Sequence, residues 1–355
     1  MTVPPSTVVL ISCDEDSQPF AEAELRTLFS GLSPIDWLTG NPDENSGVGR
    51  LVVPLSFPEF AAKVEASGSV FLRHFAPVMA EVPLSDDDSD LPRLEEAARS
   101  LTPFVEATET LSVQARLLGD TFRPFSRTEL NGALFSVIEA ATGVVLDARE
   151  PVQTLSVVCA RDRAFLGVSR TADNRSPWPG GQMRFKREDG QISRAEFKLM
   201  EAIRVFDLTV PDRGSALDIG AAPGGWTNVL RRFGLRVIAV DPAELHESLR
   251  HDRRIVHVRE RIQRYRPSEA FEVIVNDLKM DARDSTDIML SVRRFLKPGG
   301  FAVMTLKLPK TVPSPRAMRE FVQDDLRRLR SGYGVIGARQ LFHNRSEITV
   351  ALTSD

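Results

Sequence analysis

Short apolar runs alternate with amphipathic segments through the second half of the chain, from residue 193 onwards. These runs predict strands, with helices between them, near 215–220, 236–241, 255–258, 272–277 and 300–307. Two further runs, near 335–341 and 346–352, are separated only by the turn "HNR" and predict a hairpin. Repeated strand–helix units predict an α/β fold with a mostly parallel sheet, to which the hairpin adds one antiparallel strand.

The first half of the chain has a less regular pattern. Residues 1–105 begin with "TVVLIS" and the helical "SQPFAEAELRTLFSGL", and they predict a small α+β, ferredoxin-like domain. The acidic "PLSDDDSDLPR" in this region predicts an exposed loop. Residues 106–172 predict a second domain with the order strand, helix, strand, strand, in which the last two strands flank the turn "RDR".

Local signals support the helix of this second domain. Ser126 and Glu129 have the spacing of a capping box, and Gly143 stands where a helix C-terminus requires a glycine. The segment "SPWPGGQMR" then predicts a linker over 173–190, which leaves 191–355 as the α/β domain.

Composition excludes a few function classes. No apolar run approaches the length of a membrane span, so we expect no membrane partner. The N-terminus has neither a basic start nor a small-residue cleavage site, so we expect an unprocessed cytoplasmic protein. The two cysteines, Cys13 and Cys159, lie in no motif and are expected to be buried thiols. The five histidines have no metal-binding spacing, so we predict no metal site.

Charge is distributed unevenly along the chain. Residues 1–180 hold 14 Lys and Arg against 26 Asp and Glu, whereas residues 181–355 hold 31 against 23. The second half is therefore the better candidate to contact a polyanion. The alternative is a mixed surface whose charges sum to a positive value by chance. Arginines cluster at "RHDRR", "RERIQRYR" and "RRLR", and the first two lie near predicted strand ends.

The stretch "SALDIGAAPGGWTNVL" at 215–230 is a strand, a turn of small residues and the start of a helix. Open α/β sheets bind ligands at the carboxyl ends of their strands. A degenerate dinucleotide loop is one interpretation, but Asp218 would repel a pyrophosphate and Pro223 lacks a backbone donor. A carboxylate here instead favours a ligand with a positive end. Asp241 ends the next strand, where a carboxylate accepts hydrogen bonds from ribose hydroxyls.

An amino-acid end together with a ribose describes S-adenosylmethionine. We therefore predict a cofactor site for this molecule around the turn. The expected cofactor-binding residues are Asp218, Gly220, Ala221, Ala222, Pro223, Gly224, Gly225, Trp226, Asp241, Glu260 and Asp277.

The chain resembles the FtsJ-type RNA ribose 2′-O-methyltransferases. The resemblance covers residues 190–353 and is carried by the glycine turn and by "SRAEFKLMEAI", "VIVNDLKMD", "MTLKLPK" and "ARQLFHNRSEITVAL". It implies a Rossmann-like class I methyltransferase sheet, S-adenosylmethionine as cofactor and an RNA substrate. The implied catalytic tetrad is Lys198, Asp277, Lys307 and Glu347.

Within this family the chain is most similar to the bacterial enzymes that methylate a cytidine ribose in 23S rRNA, with "LKLPK" and "QLFHNRSEITV" as the best match. The resemblance therefore implies 23S rRNA, or a large-subunit precursor, as the partner. Those enzymes also carry an N-terminal THUMP RNA-binding domain, and residues 106–172 resemble it in element order. One departure concerns the third strand, which is followed by Glu260 and Arg261 where many relatives place an Asp that contacts adenine.

The chemistry of the implied tetrad leaves the role of one lysine open. A sulfonium methyl is already activated, so the acceptor hydroxyl is the poor partner, and a lysine beside another cation can act as its base. Lys307 has that place with Lys198 as the neighbouring cation, but Asp277 and Glu347 oppose the loss of its proton. Lys307 is therefore expected either to take the proton or to orient the hydroxyl.

Three rival functions remain beside this one. A tRNA or a different rRNA site is the rival within the same class, and a catalytically idle RNA-binding assembly factor is the rival outside it. The intact tetrad argues against an idle protein. A small-molecule O-methyltransferase is disfavoured by the missing metal-site acids and by the additional N-terminal half.

Overall fold

The computed structural model describes residues 6–38, 46–119, 123–186 and 190–354. The chain divides into two compact units, Met1–Met183 and Arg184–Asp355. The first residues of the expected unprocessed N-terminus, and 187–189 of the expected linker, lie outside the described residues. Within the described ranges, no helix is both long and apolar enough to cross a bilayer.

The first unit contains two sheets. The first is built from elements up to residue 78, and its strands pair antiparallel in the order β2-β3-β1-β4. The elements are β1 (Thr7–Cys13), α1 (Gln18–Leu28), β2 (Asp36–Leu38), β3 (Gly47–Val53), α2 (Phe57–Ala66) and β4 (Leu72–Val78).

The second sheet of this unit has the order β5-β9-β8-β6-β7, with β6 parallel to both β8 and β7. Its elements are β5 (Ala80–Pro83), α3 (Asp90–Ser100), β6 (Thr110–Leu117), α4 (Arg127–Thr142), β7 (Val145–Leu146), β8 (Gln153–Ala160) and β9 (Arg163–Arg170). The predicted hairpin is confirmed, because β8 and β9 pair antiparallel. The α4 signals are also confirmed: Ser126 and Glu129 form the capping box, and Gly143 has φ +73°.

Helix α3 was not predicted, because its acidic start suggested a loop. The side chain of Asp90, at the end of the acidic run, is fully buried and accepts hydrogen bonds from the backbone N–H of Ser85 and Asp86. The acidic residue therefore organises the helix start instead of being solvated. Leu94 and Ala98 of α3 are buried in the core of the second sheet.

The structure divides the first half differently from the expected boundary at residue 105. Strand β5 pairs with β9, so residues 80–83 belong to the second sheet. The apolar segment "FLRHFAPVMAEVP" forms β4 in one sheet and β5 in the other. The segment that was expected to be a linker is also ordered as far as Met183, since Gly180 and Gly181 are buried against Arg116 and Arg73 of the same unit.

The second unit has the predicted Rossmann-like fold, with strand order β12-β11-β10-β13-β14-β16-β15. Its elements are α5 (Ala195–Val205), β10 (Ser215–Ile219), α6 (Gly225–Arg232), β11 (Arg236–Val240), β12 (Ile255–Val258), β13 (Phe271–Asn276), α7 (Ala282–Val292), β14 (Leu296–Lys307), α8 (Pro315–Arg330), β15 (Gly334–Arg339) and β16 (Glu347–Thr353). Strands β10 to β14 are parallel, and β16 pairs antiparallel with both β14 and β15.

One part of the predicted strand–helix alternation is wrong. Residues 241–254 and 259–270 connect β11 to β12 and β12 to β13 without an α-helix, and the first connection has only a short 3-10 turn, Glu247–Leu249. Both connections are short and rich in charge, and of residues 259–270 only Ile262 is buried. A helix over residues 259–270 would therefore have had almost no apolar face to bury.

Candidate active site

The carboxyl ends of the parallel strands β10, β11, β13 and β14 form one edge of the second unit's sheet, which we call the catalytic edge. Asp277 directly follows β13, and Lys307 is the last residue of β14. Strand β16 runs in the opposite direction, so its first residue, Glu347, lies at the same edge. Lys307 and Glu347 are register partners in the β14–β16 ladder, which places their side chains next to each other.

Four charged side chains meet at this edge, and each lysine contacts both acids. Lys198 Nζ lies 2.5 Å from Glu347 Oε1 and 3.4 Å from Asp277 Oδ2. Lys307 Nζ lies 3.1 Å from Asp277 Oδ1 and 3.2 Å from Glu347 Oε2. The four groups therefore form a closed ring in which every carboxylate oxygen has a lysine partner.

The ring is largely, but not fully, withdrawn from solvent. The exposed fractions of the side chains are 17% for Lys198, 18% for Asp277, 22% for Lys307 and 9% for Glu347. Burial lowers the pKa of Lys198, but Asp277 and Glu347 stabilise its charge, and the net result is a pKa above the ordinary lysine value. Lys198 is consequently an ammonium ion at neutral pH.

A threonine also contacts the ring. Thr305 is fully buried on β14, and its hydroxyl donates a hydrogen bond of 2.7 Å to Asp277 Oδ1. Sequence reasoning missed this residue, because a threonine in an apolar strand is ordinary. The signal was its position two residues before Lys307, since alternate residues of a strand project from the same face.

A second acid on α5 holds the loop that leads to Glu347. Glu201 is buried, and its carboxylate accepts hydrogen bonds from the backbone N–H of Phe342 and His343, at 2.8 Å and 2.9 Å. The same carboxylate also lies 2.8 Å from His343 Nδ1. Glu201 is three residues after Lys198, so one face of α5 contacts both the ring and the loop.

Ser193 and Glu196, at the N-terminus of α5, have the sequence spacing of a capping box. Ser193 and Glu196 do not form a capping box: α5 begins at Ala195, and Glu196 Oε1 instead accepts a hydrogen bond of 2.6 Å from the N–H of Ile192. The carboxylate of Glu196 also binds Arg232, at 3.0 Å. The buried Ser193 Oγ finds no hydrogen-bond partner among the described residues, and it lies where a Cβ on Gly225 would collide with it.

The glycine turn lies directly after β10 on the catalytic edge. Gly220 and Gly224 have φ of +76° and +114°, which favour glycine. Side chains of Leu278 and Leu249 occupy the space that a Cβ at these two positions would need. The N–H of Ala222 donates to Asp241 Oδ2 at 3.1 Å, so the half-buried Asp241 lies beside the turn.

The other expected cofactor-binding residues are placed in several ways. Ala221 is buried near Leu245 and Leu249, and Pro223 contributes its carbonyl to the N–H of His246. Trp226 is buried in the core, and its indole N–H donates to the Ala195 carbonyl at 2.7 Å, so it joins α6 to α5.

Asp218 lies beneath the turn instead of facing open space. It is 1% exposed, and its Oδ2 accepts a hydrogen bond of 2.6 Å from the hydroxyl of Thr227. Burial raises the pKa of Asp218 to about 7; the bond from Thr227 opposes this shift, and the charges of Asp277 and Asp241 add to it. The carboxyl group thus connects the end of β10 to α6.

Glu260 and Arg261 follow β12 and are both exposed. The loop that carries them also contains the "RERIQRYR" arginines, and it is at the catalytic edge because it follows the carboxyl end of β12. "RHDRR" precedes the amino end of β12, and "RRLR" ends α8, which returns the chain to the amino end of β15. Only one of the three arginine clusters is therefore at the catalytic edge.

Comparison with known proteins identifies the family. A ribosomal RNA large subunit methyltransferase M from Alkalilimnicola ehrlichii is 35% identical over 297 residues, which are 79% of this chain and 78% of that protein. The chain belongs to the ribosomal RNA large subunit methyltransferase M family. A methyltransferase M from Methylococcus capsulatus is 28% identical over 371 residues, 98% of each chain.

The family model for FtsJ-like methyltransferases matches residues 191–328. This range contains Lys198, Asp277 and Lys307, whereas Glu347 lies beyond it. Among solved structures, TrmN from Thermus thermophilus is 18% identical with a TM-score of 0.40, over 98% of this chain and 100% of that one. In the part of the chain that the structure describes, no three His, Cys, Asp or Glu side chains are grouped to hold a metal ion.

Proposed function

We propose that this protein transfers a methyl group from S-adenosylmethionine to the 2′-hydroxyl of a ribose in large-subunit ribosomal RNA. The observation that carries the proposal is the closed ring, in which Lys198 and Lys307 each contact both Asp277 and Glu347. The membership of the chain in a family named for large-subunit rRNA methylation supports this class of substrate. We propose a cytidine of 23S rRNA, or of its precursor, as the acceptor.

The residues around the glycine turn fit S-adenosylmethionine. Asp241 has only one backbone N–H on each oxygen, from Ala222 and Ala243, so lone pairs remain for the two ribose hydroxyls. Ser193 offers a buried, unsatisfied hydroxyl beside Gly225, which suits the carboxylate of the amino-acid end. The bound cofactor would supply a methyl group that is already activated for transfer.

We propose that Asp218 does not contact the ammonium group of the cofactor. Its carboxyl is buried and receives the Thr227 hydroxyl, so it positions the turn from below. Asp277 and Asp241 are the more exposed carboxylates near the turn. We propose them as the groups that face the positive end and the ribose of the cofactor, respectively.

The ring prepares the acceptor hydroxyl. Lys198 stays protonated, because its two acid neighbours outweigh the effect of burial on its pKa. Lys307 is the more exposed of the two lysine side chains, at 22% against 17%, and we propose that it contacts the 2′-hydroxyl and accepts or orients its proton. Asp277 and Glu347 hold both lysine side chains in place, so each amine, which is otherwise flexible, has a fixed orientation.

Residues 106–172 of the first unit are proposed to bind structured RNA as a THUMP-like domain. Its support is the order of strand, capped helix and hairpin in β6, α4, β8 and β9.

A methyl-transfer assay on total RNA from a strain that lacks the gene tests the proposal. Labelled methyl groups should enter one ribose of large-subunit rRNA, and mapping of 2′-O-methylated positions should identify a cytidine that is unmodified in the deletion strain. Transfer to tRNA or to another rRNA site would favour the rival substrate. RNA binding without any transfer would identify an idle assembly factor.

A further inference from the structure

Each of the four segments that carry the ring also carries an exposed cation. Arg194 is four residues before Lys198, and Lys279 is two residues after Asp277. Lys310 follows Lys307 by three residues, and Arg345 precedes Glu347 by two. In the segments that the structure describes, none of these four cations has an ion pair or a side-chain hydrogen bond. We call this set, Arg194, Lys279, Lys310 and Arg345, the flanking cations.

The topology of the second unit places all four flanking cations at the catalytic edge. Lys279 and Lys310 follow the carboxyl ends of β13 and β14, and Arg345 precedes the antiparallel β16. Arg194 is at the N-terminus of α5, which lies at the same edge because Ser193 is beside Gly225 and the Ala195 carbonyl binds Trp226. The flanking cations therefore lie at the same edge of the sheet as the ring, although they are dispersed along the sequence.

The acids in these segments do not neutralise them. In residues 190–198, 277–282, 307–314 and 340–347, the acidic residues outside the ring are Glu196 and Asp281. Glu196 is buried and paired with Arg232, so it is not available to the flanking cations. Asp281 is exposed, and its carboxylate accepts the backbone N–H of Arg283 as the cap of α7. These four segments thus carry four exposed cations and a single exposed acid.

We propose that the flanking cations bind the phosphates on either side of the acceptor ribose. A 2′-hydroxyl that enters the ring carries a phosphodiester on each side of its sugar, so RNA bound productively brings negative charge to all sides of the site. Exposed lysines and arginines without protein partners are the groups that bind such phosphates. This inference rests on the proposed function and names the contacts that would hold its RNA substrate.

Arg253 and Arg254 provide a matched control. Both are exposed and form no ion pair among the described residues, but they precede the amino end of β12, at the opposite edge of the sheet. A general attraction between RNA and positive charge would involve them as much as the flanking cations. Phosphate binding by the flanking cations at the catalytic edge would not involve Arg253 and Arg254.

The experiment measures RNA affinity against salt concentration for the full-length protein and a large-subunit rRNA fragment. Four single variants, Arg194→Gln, Lys279→Gln, Lys310→Gln and Arg345→Gln, are compared with the double variant Arg253→Gln/Arg254→Gln. Each released phosphate contact should reduce the slope of log affinity against log salt by about 0.7 to 0.9. We expect this reduction in the four variants and a wild-type slope in the control, with cofactor binding and thermal unfolding unchanged in all of them.

Two results would overturn the proposal that the flanking cations bind phosphates. One is a wild-type salt slope in all four single variants, and the other is an equal reduction of the slope in the control. A wild-type protein that binds this RNA with a steep salt dependence but transfers no methyl group would instead contradict the proposed function. The slopes of the variants would still decide whether the flanking cations bind phosphate.

Discussion

The hydroxyl of Thr305 donates a hydrogen bond of 2.7 Å to Asp277 Oδ1, the same oxygen that Lys307 Nζ contacts at 3.1 Å. The buried hydroxyl therefore fixes the carboxylate against which the proposed catalytic lysine rests. A hydrogen bond to a charged group contributes about 1.5 to 3 kcal/mol. Thr305→Val should lower kcat by about tenfold or more, since 1.4 kcal/mol corresponds to a factor of ten.

Thr305→Ser keeps the hydroxyl and should retain most of the activity. Thr286→Val is the matched control, because it removes a similar buried bond, from Thr286 to Asp325, that does not involve the ring. Steady-state kinetics of the three variants check this prediction. Equal losses in Thr305→Val and Thr286→Val would indicate a general effect on folding and contradict a specific role for Thr305.

Lys307→Ala should abolish methyl transfer while S-adenosylmethionine binding stays nearly intact, because Lys307 acts on the acceptor in this proposal. Lys297→Ala is a control on the same strand, since Lys297 lies near the start of β14 and pairs with Glu272 at 2.5 Å, away from the ring. Single-turnover rates and calorimetric cofactor binding check both variants. Near-normal turnover in Lys307→Ala would remove Lys307 from the mechanism.

The positions of three of the four ring residues could be predicted from where the strands begin and end in the sequence. The sequence predicts that Asp277 and Lys307 end parallel strands and that Glu347 begins an antiparallel one, which is enough to expect the three residues at one edge. Thr305 lies two residues before Lys307, which predicts the same face of β14, but a threonine in an apolar strand is too ordinary to be recognised as a partner of the acid. Ser193 and Glu196 have the sequence spacing of a capping box, but the carboxylate of Glu196 instead binds the N–H of Ile192 and the side chain of Arg232.

Asp218→Asn should change how stability depends on pH. The pKa of this buried carboxyl is raised from 3.8 to about 7, so between about pH 4 and pH 7 the unfolded chain releases a proton that the folded protein retains. The free energy of unfolding therefore falls as pH rises through this window. Asparagine has no such proton, so the variant should lack this decline.

Urea unfolding at several pH values compares the two proteins. Near pH 4 the wild-type carboxyl is protonated and resembles the amide, so the two stabilities should be similar. Above pH 7 the variant should be the more stable protein. Parallel curves over the whole range would contradict the raised pKa of Asp218.

Gly220→Ala should impair both stability and methyl transfer. Its Cβ would lie 2.7 Å from the side chain of Leu278, the residue that follows Asp277, and φ of +76° disfavours any side chain. Gly299→Ala is the matched control, because Gly299 has φ +74° but nothing within 4 Å of a new Cβ. The control should lose about 1 kcal/mol of stability from backbone strain and keep its activity.

Denaturant unfolding and transfer rates separate the two effects. Gly220→Ala should lose more stability than Gly299→Ala, and it alone should lose activity. Identical behaviour of the two variants would show that Leu278 moves aside without disturbing Asp277.

The spacing of Lys198 and Glu201 on α5 constrains how this region can change in evolution. One residue reaches the ring and the other, one turn later, anchors the loop before Glu347. Adding or deleting a residue between them would rotate one contact by about 100° away from its partner. Alignments of homologous enzymes that keep this chemistry should therefore show no insertion or deletion between these two positions, even where the amino-acid sequence of the surrounding helix varies.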